Sequence, residues 1–348
     1  EEFAFGGPQT AESMTSAVAP YMIGDFFLCN GQIIFVAKGA AAGLGTFQAP
    51  IPCAAGRAKI SDDNCVLPVD RVSFLGDHFD NAIQLTTPTV HALDVNRYTP
   101  GFEKTFLDGN ASLELRIPFA DTQNSDLFLD NSGREEATEF GDMVLVLKAL
   151  AYRDATVAFG GGVGFVLPTA PDARIFTDGQ SQPLFTIDNS AFHLQPFLAL
   201  LYTPSDRLFF QTFIEFDLDT TGNHVEQLDV GRIGTLHDQD LFQADLQLGY
   251  WWYRDPTARY LTGVAPTMEY HYTTTIQNAS IVTAGARNGD FIFGSPANRL
   301  DIHNLTLGVE LQIGPRALLN IAAVLPLNGN NDNRQFDSEY FIQFNRFF

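Results

Sequence analysis

Basic residues are scarce in this chain. Lys and Arg total 20 against 41 Asp and Glu, leaving a net charge of −21. Phosphate backbones are held by clustered cations, so nucleic acid is excluded as a partner. Charged residues of either sign make up only 18%, below the roughly 25% of soluble domains. Long apolar runs are missing as well. Although 45% of the residues are hydrophobic, no window holds the ~18 consecutive apolar residues of a membrane-crossing helix. Extended helical periodicity is equally hard to find. Cysteine occurs three times, as Cys29, Cys53 and Cys65. No C-x-x-C or His-rich spacing points to zinc. Cys53 and Cys65 flank a short Gly/Ala/Asp segment and are the disulfide candidate for an oxidising compartment. No G-x-S-x-G occurs, and the histidines and serines form no nucleophile pattern, so the expectation is a non-enzyme without a cofactor.

What the chain has is alternation. In 207–218, Leu208, Phe210, Ile214, Phe216 and Leu218 share one face, and Gln211, Glu215 and Asp217 the other. In 242–253, Phe242, Ala244, Leu246, Leu248, Tyr250 and Trp252 oppose Gln243, Asp245, Gln247 and Gly249. Residues 304–313 and 112–119 repeat the pattern. A period of two marks half-buried strands. These runs are longer than the five or six residues usual for soluble strands and fit the ~9–11 residues of a tilted membrane strand. Phe, used 31 times, supplies much of the apolar face.

The connections alternate too. Tight turns sit at Asp108–Asn110, Arg153–Asp154, Pro204–Asp206, Asp255–Thr257 and Gly314–Arg316. Between them lie polar stretches at 81–98, 120–140, 168–190, 219–239, 276–298 and 328–336. Short turns on one side and long loops on the other are the order of a transmembrane barrel. The expected strands lie near 70–80, 99–108, 110–119, 141–152, 155–167, 192–203, 207–218, 241–253, 259–273, 300–313, 317–326 and 338–348. The fold class is therefore all-β, an antiparallel transmembrane β-barrel of about 12 strands. The apolar run Ile33–Val36 would raise the count to 14 if it pairs with another N-terminal strand. Tyr152, Tyr202, Trp251, Trp252, Tyr253, Phe347 and Phe348 cluster at strand ends, as an aromatic girdle does.

Residues 1–69 differ in composition and lack long alternation, so the chain divides into an N-terminal plug or periplasmic segment (1–69) and a barrel (70–348). Thr10–Tyr21 has helix start signals. The abrupt start at Glu1 fits a mature protein with its signal peptide removed. Two strands hint at something packed inside: 143–152 is apolar on both faces save Lys148, and 155–167 carries Gly160, Gly161, Gly162 and Gly164. The glycines lack the Gly-Lys-Ser/Thr ending of a phosphate loop.

The inward polar set is the candidate site: Glu114, Arg116, Glu215, Asp217, Asp245, Glu269, His271 and Glu310. Carboxylates outnumber bases there, which favours cations or neutral solutes in a pore. Phe209, Phe213, Val144 and Val146 offer an apolar inward path instead. Asp217-Leu-Asp-Thr-Thr-Gly222 begins like a calcium loop, but Leu228 stands where Glu is needed. A looser Ca2+ site among Asp217, Asp219, Glu226 and Asp229 remains an expectation.

The last residues, Tyr340–Phe348, resemble the closing strand of a bacterial outer-membrane barrel, with Phe344 and Phe348 as the membrane-insertion signal; Arg346 departs from the aromatic usual two positions before the end. Asp94–Phe119 resembles planctomycete outer-membrane proteins, and the chain is loosely similar to barrels of the meta-pathway phenol-degradation and fatty-acid transporter type. That resemblance implies a Gram-negative outer membrane with both termini periplasmic, an N-terminal plug and about fourteen strands. It carries no functional residue over. Its implied partners are outer-membrane lipid and small solutes, with a homo-oligomer, a trimer, among the expectations. The expected function is a porin-like diffusion channel. The alternatives are a transporter of hydrophobic small molecules, or a structural plugged barrel that binds a surface layer through divalent cations.

Overall fold

The structure is a computed structural model. It describes residues 19–28, 32–37, 46–48, 50, 52, 55–85, 91–129, 132–177, 179, 181–286, 289–294, 299–329 and 333–348. Twelve strands close into one antiparallel barrel. They are β1 (Arg71–Leu85), β2 (His91–Phe106), β3 (Ala111–Arg116), β4 (Met143–Arg153), β5 (Val157–Leu167) and β6 (His193–Tyr202), then β7 (Leu208–Asp219), β8 (Asp240–Tyr250), β9 (Leu261–Gln277), β10 (Asp301–Ile313), β11 (Ala317–Pro326) and β12 (Ser338–Phe347). Each pairs with the next, and β12 returns to β1, with Gln343 opposite Leu75 and Phe347 opposite Arg71. Closure leaves no free edge, which is what lets strands cross a medium without hydrogen-bonding solvent.

The outward face is apolar. Leu198, Ile214, Leu246, Leu307, Ile321 and Ile342 are each about half exposed. The inward face is polar and buried: Gln211, Gln243, Gln247, Thr306, Asn320, Gln343 and Asn345 are almost fully covered. A soluble protein reverses this order. At the short-turn end Tyr152, Tyr202, Trp252, Tyr253 and Phe348 are exposed as expected. Trp251 is not part of that belt. It turns inward, buried, with its ring 5.9 Å from that of Phe209, because the strand register that places Trp252 outside sends its neighbour in.

The stretch 81–98, read as a loop, is mostly strand. The register of β1 on β2 shifts between Phe79 and Ile83, and Asn81 takes φ +56°. The extra residues of such a bulge break the alternation that would have revealed the strand. The other long connections carry short strands of their own. Residues 126–128, 173–176, 185–188, 223–227 and 231–236 form a five-stranded sheet. It packs against strands 282–286 and 289–294 through Val225, Val282, Phe185, Phe291 and Phe293, with the Phe185 ring 4.8 Å from Phe293. The strand 32–37 pairs with 289–294 on one side and 46–48 on the other. It therefore joins the long-loop sheet, and the barrel keeps twelve strands.

This pairing fixes the route of the N-terminal segment. The Tyr21 ring lies tilted against Phe347, 5.7 Å between centroids, at the short-turn end. The chain then reaches the long-loop side at 32–37 and 46–48 and returns to Asp70 and Arg71. Residues 19–28 and 55–69 lie inside the barrel. Of the proposed helix Thr10–Tyr21, residues 10–18 lie outside the described set, and 19–21 are not helical. Cys53 also lies outside it; Cys65 is buried against the wall.

The inner chain explains part of the glycine run; at Gly161 and Gly162 a Cβ would instead meet the Phe197 and Leu147 carbonyls of the neighbouring wall strands. A Cβ on Gly164 would collide with Cδ1 of Ile60, and one on Gly160 would lie 3.2 Å from Val66. The inward apolar residues Val144, Val146, Phe209 and Phe213 form one core with Tyr21, Met22, Ile60, Cys65 and Val66. Replacing Gly164 with Leu overpacks this contact and is expected to cost about 1–3 kcal/mol. A lowered thermal transition in detergent, with the barrel's circular-dichroism signal kept at 25 °C, is the readout.

Candidate functional site

The interior is a set of buried ionic clusters that join the inner segment to the wall. All eight inward residues expected from the sequence face the interior and are at least nine-tenths buried. Their partners are mostly residues that periodicity does not single out.

At the centre, Lys59 Nζ donates to Asp25 Oδ1 and Asp245 Oδ1, each at 2.6 Å. Asp245 also accepts from Ser61 Oγ (2.7 Å) and pairs with His271 Nδ1 (2.7 Å). Asn304 Nδ2 donates to the other oxygen of Asp25 at 2.6 Å. Beside this, Glu269 caps the inner chain: its oxygens accept the backbone N–H groups of Ile23 (2.9 Å) and Gly24 (3.0 Å). Glu310 accepts from Tyr21 N (3.2 Å), and Glu215 from Ile60 N (3.0 Å). Three wall carboxylates thus take up main-chain donors that the extended inner segment cannot satisfy itself.

Nearer the short turns, Arg71 is fully buried and meets Asp63 (2.9 Å), Glu103 (2.8 Å) and Glu114 (2.8 Å), with its guanidinium 4.7 Å from the Tyr21 ring centre. Lys148 pairs with Glu103 at 2.9 Å and also donates to the carbonyl of Cys65. Arg116 holds Glu114 at 3.0 Å and donates to the carbonyls of Lys59 and Ile60. Toward the long loops, Arg57 binds Asp217 at 2.5 Å, and Asp217 in turn meets His193 Nδ1 at 2.7 Å. Arg97 bridges Asp77 (2.6 Å) and Asp62 (3.6 Å).

The fit is incomplete. Both oxygens of Glu339, both ends of the Gln243 amide, Oε1 of Glu215 and Oε1 of Glu310 are buried without a hydrogen-bond partner among the described residues. Each such group costs on the order of 1–3 kcal/mol. Ala58, Lys59, Asp62, Arg97, Arg116 and Val144 help line a cavity of about 30 Å³, room for about two waters.

Metal-capable side chains meet in threes at two places among the described residues: Asp25, Asp245 and His271, and His193, Asp219 and Asp238. The first is already bridged by Lys59, whose ammonium lies 2.6 Å from both aspartates. Of the four acids considered for calcium, Asp217 is committed to Arg57. Asp219 Oδ1 accepts from Thr221 and Gly222 N–H, and its Oδ2 accepts from Asp238 N–H, which leaves a lone pair on Oδ2.

Sequence reasoning missed Asp25, Arg57, Lys59, Arg71, Arg97 and Lys148, the residues that answer the predicted carboxylates. One signal was present: residues 1–69 hold only three basic side chains, Lys38, Arg57 and Lys59, and two of them are these anchors. Removing one partner of a buried pair leaves an uncompensated charge. Lys59→Met is expected to cost about 3–5 kcal/mol, and adding Asp245→Asn should recover part of it. Unfolding of the two variants in denaturant measures both.

No family model matches the chain, and no curated protein does. Solved structures do. An outer-membrane channel from Pseudomonas putida F1 aligns with TM-score 0.51 and 12% identity, over 84% of this chain and 100% of that one. The NanC porin aligns at TM-score 0.43 and 9% identity (80% and 99% covered), and the Pseudomonas putida toluene transporter TodX at 0.37 and 11% (80% and 88% covered). At these identities the first likeness establishes the fold alone: the chain has the architecture of an outer-membrane β-barrel.

Proposed function

We propose that the protein is a non-enzymatic outer-membrane channel in which the N-terminal segment 1–69 acts as a plug through its residues 19–28 and 55–69 in the lumen, and that small solutes diffuse through when that segment shifts. The observation that carries this reading is the bonding of the inner segment to the wall. It is held by ion pairs and capped N–H groups and leaves several buried carboxylates unmet. A purely structural filling favours an apolar core, which gains without such desolvation cost. Polar contacts, by contrast, can be exchanged for water and solute when the segment moves.

The wall sets the preference. Facing inward are nine wall carboxylates (Asp77, Glu103, Glu114, Glu215, Asp217, Asp245, Glu269, Glu310 and Glu339) against Arg71, Arg97, Arg116 and Lys148. Once the plug's Arg57 and Lys59 withdraw, the lumen is acidic, and it favours cations or neutral solutes. The short turns with their aromatic belt face the periplasm in this reading, as do the N- and C-termini, and the long-loop sheets face outward. Assembly into a trimer would use the apolar outer wall.

A second reading rests on one observation: the inward apolar patch of Val144, Val146, Phe209 and Phe213, now covered by Met22, Ile60 and Val66. Uncovered, it would carry hydrophobic small molecules.

Planar-bilayer recording separates these. The intact chain is expected to show rare openings. An Arg57→Ala/Lys59→Ala variant, with two anchors cut, should open at least tenfold more often and give a cation-selective reversal potential in a salt gradient. Anion selectivity would reject the acidic lumen. Absence of sugar flux into liposomes, with detergent or lipid retained inside the barrel, would favour the hydrophobic reading. Absence of both would leave a plugged structural barrel.

A further inference from the structure

We propose that the long-loop rim of the barrel holds a divalent transition-metal site made by His193, Asp219 and Asp238. His193 opens β6, Asp219 ends β7, and Asp238 lies in the connection just before β8. Strand pairing sets the first two opposite one another, and the turn from 237 to 239 brings the third over them. One ligand atom from each lies within 4.8 Å of the other two, a separation that a metal ion can draw in with small side-chain movements.

The orientation of His193 is the telling feature. Its Nδ1 is 2.7 Å from Asp217 Oδ1, so Asp217 holds one side of the ring and a metal at Nε2 would take the place of a proton there. Arg57, whose Nη2 lies 3.2 Å from Nδ1, binds the same carboxylate. Nε2 faces Asp238 Oδ2 at 3.7 Å, too far for a hydrogen bond, although the side chain is only 8% exposed. A buried imidazole turned toward two carboxylates and held from behind by a third has the layout of the carboxylate–histidine–metal arrangement. His237 Nδ1, 3.5 Å from Asp219 Oδ2 and partly exposed, stands at the solvent side.

Charge and donor type narrow the ion. Asp217, Asp219 and Asp238 against Arg57 leave two negative charges, the complement of a dication. An imidazole with two carboxylates suits Zn2+ or its neighbours; calcium prefers an all-oxygen shell of six to eight ligands. The site differs from the acidic loop set proposed for calcium on sequence grounds, sharing only Asp219 as a ligand. It also has a mechanical reach. The metal would tie β6, β7 and the connection before β8 together, and through Asp217 it would stiffen the wall residue to which Arg57 of the inner segment is bound.

The test uses the full, untagged chain in detergent, stripped with a chelator and titrated with ZnCl2 by calorimetry. The expected result is one equivalent bound, a raised thermal transition, and no competition from millimolar CaCl2. Asp238→Asn lies outside the strands and should weaken zinc binding at least tenfold while leaving the barrel's circular dichroism unchanged. His193→Gln should do the same. Loading with CoCl2 should give visible absorption bands that disappear in Asp238→Asn. Absence of stoichiometric zinc binding, or zinc binding unchanged in Asp238→Asn, would overturn the proposal, as would displacement of the zinc by calcium.

Discussion

Everything inside this barrel depends on Lys59 meeting Asp25 and Asp245 at once. One carboxylate belongs to the ascending arm of the inner segment, the other to the wall, and the lysine itself to the descending arm. A single fully buried ammonium thereby fixes two passes of chain and one strand relative to each other. Were it absent, the two aspartates would face each other with His271 as their remaining cationic partner. The neighbouring contacts of Glu269, Glu215 and Arg116 with the main chain require those two arms to be where Lys59 puts them.

The same logic explains why the inner segment needs no secondary structure of its own. Extended chain inside a barrel has backbone donors without partners. Here wall side chains supply them: carboxylates for the N–H groups of Tyr21, Ile23, Gly24 and Ile60, and Arg116, Lys148 and Gln247 for carbonyls. The acidic composition of the chain, read alone, suggests solvated loops. Much of it is in fact consumed as hydrogen-bond acceptors in the interior.

The barrel was legible in the sequence because period two is a local signal. Leu208 to Leu218 and Phe242 to Trp252 announce their two faces without reference to any other strand. The loss of signal was local too. At Asn81 a bulge slips the phase, and β3 is only six residues long, ending where Ile117 and Pro118 leave the wall. The loop strands at 126–128 and 185–188 are too short for alternation to rise above composition. The site was half legible. Inward carboxylates could be named from register, whereas their partners could not, since Lys59 and Asp245 are 186 positions apart and nothing local in either signals the other. The glycine run and the doubly apolar β4 did point to a guest, because a backbone-close contact leaves its mark on the host strand.

The pairing of strand 32–37 with 289–294 bears on how the molecule is assembled. A chain that passes up through the lumen, adds a strand to the sheet on the far side and comes back down is stitched into the barrel. Beyond its ion pairs, it cannot slide out toward the short turns without first unzipping that strand from both neighbours. The seam between β1 and β12 brings together the first and last segments of the wall, so it forms only after the whole wall has been made. Withdrawal of the segment is correspondingly a matter of its two arms shifting within the lumen around a tether on the far side.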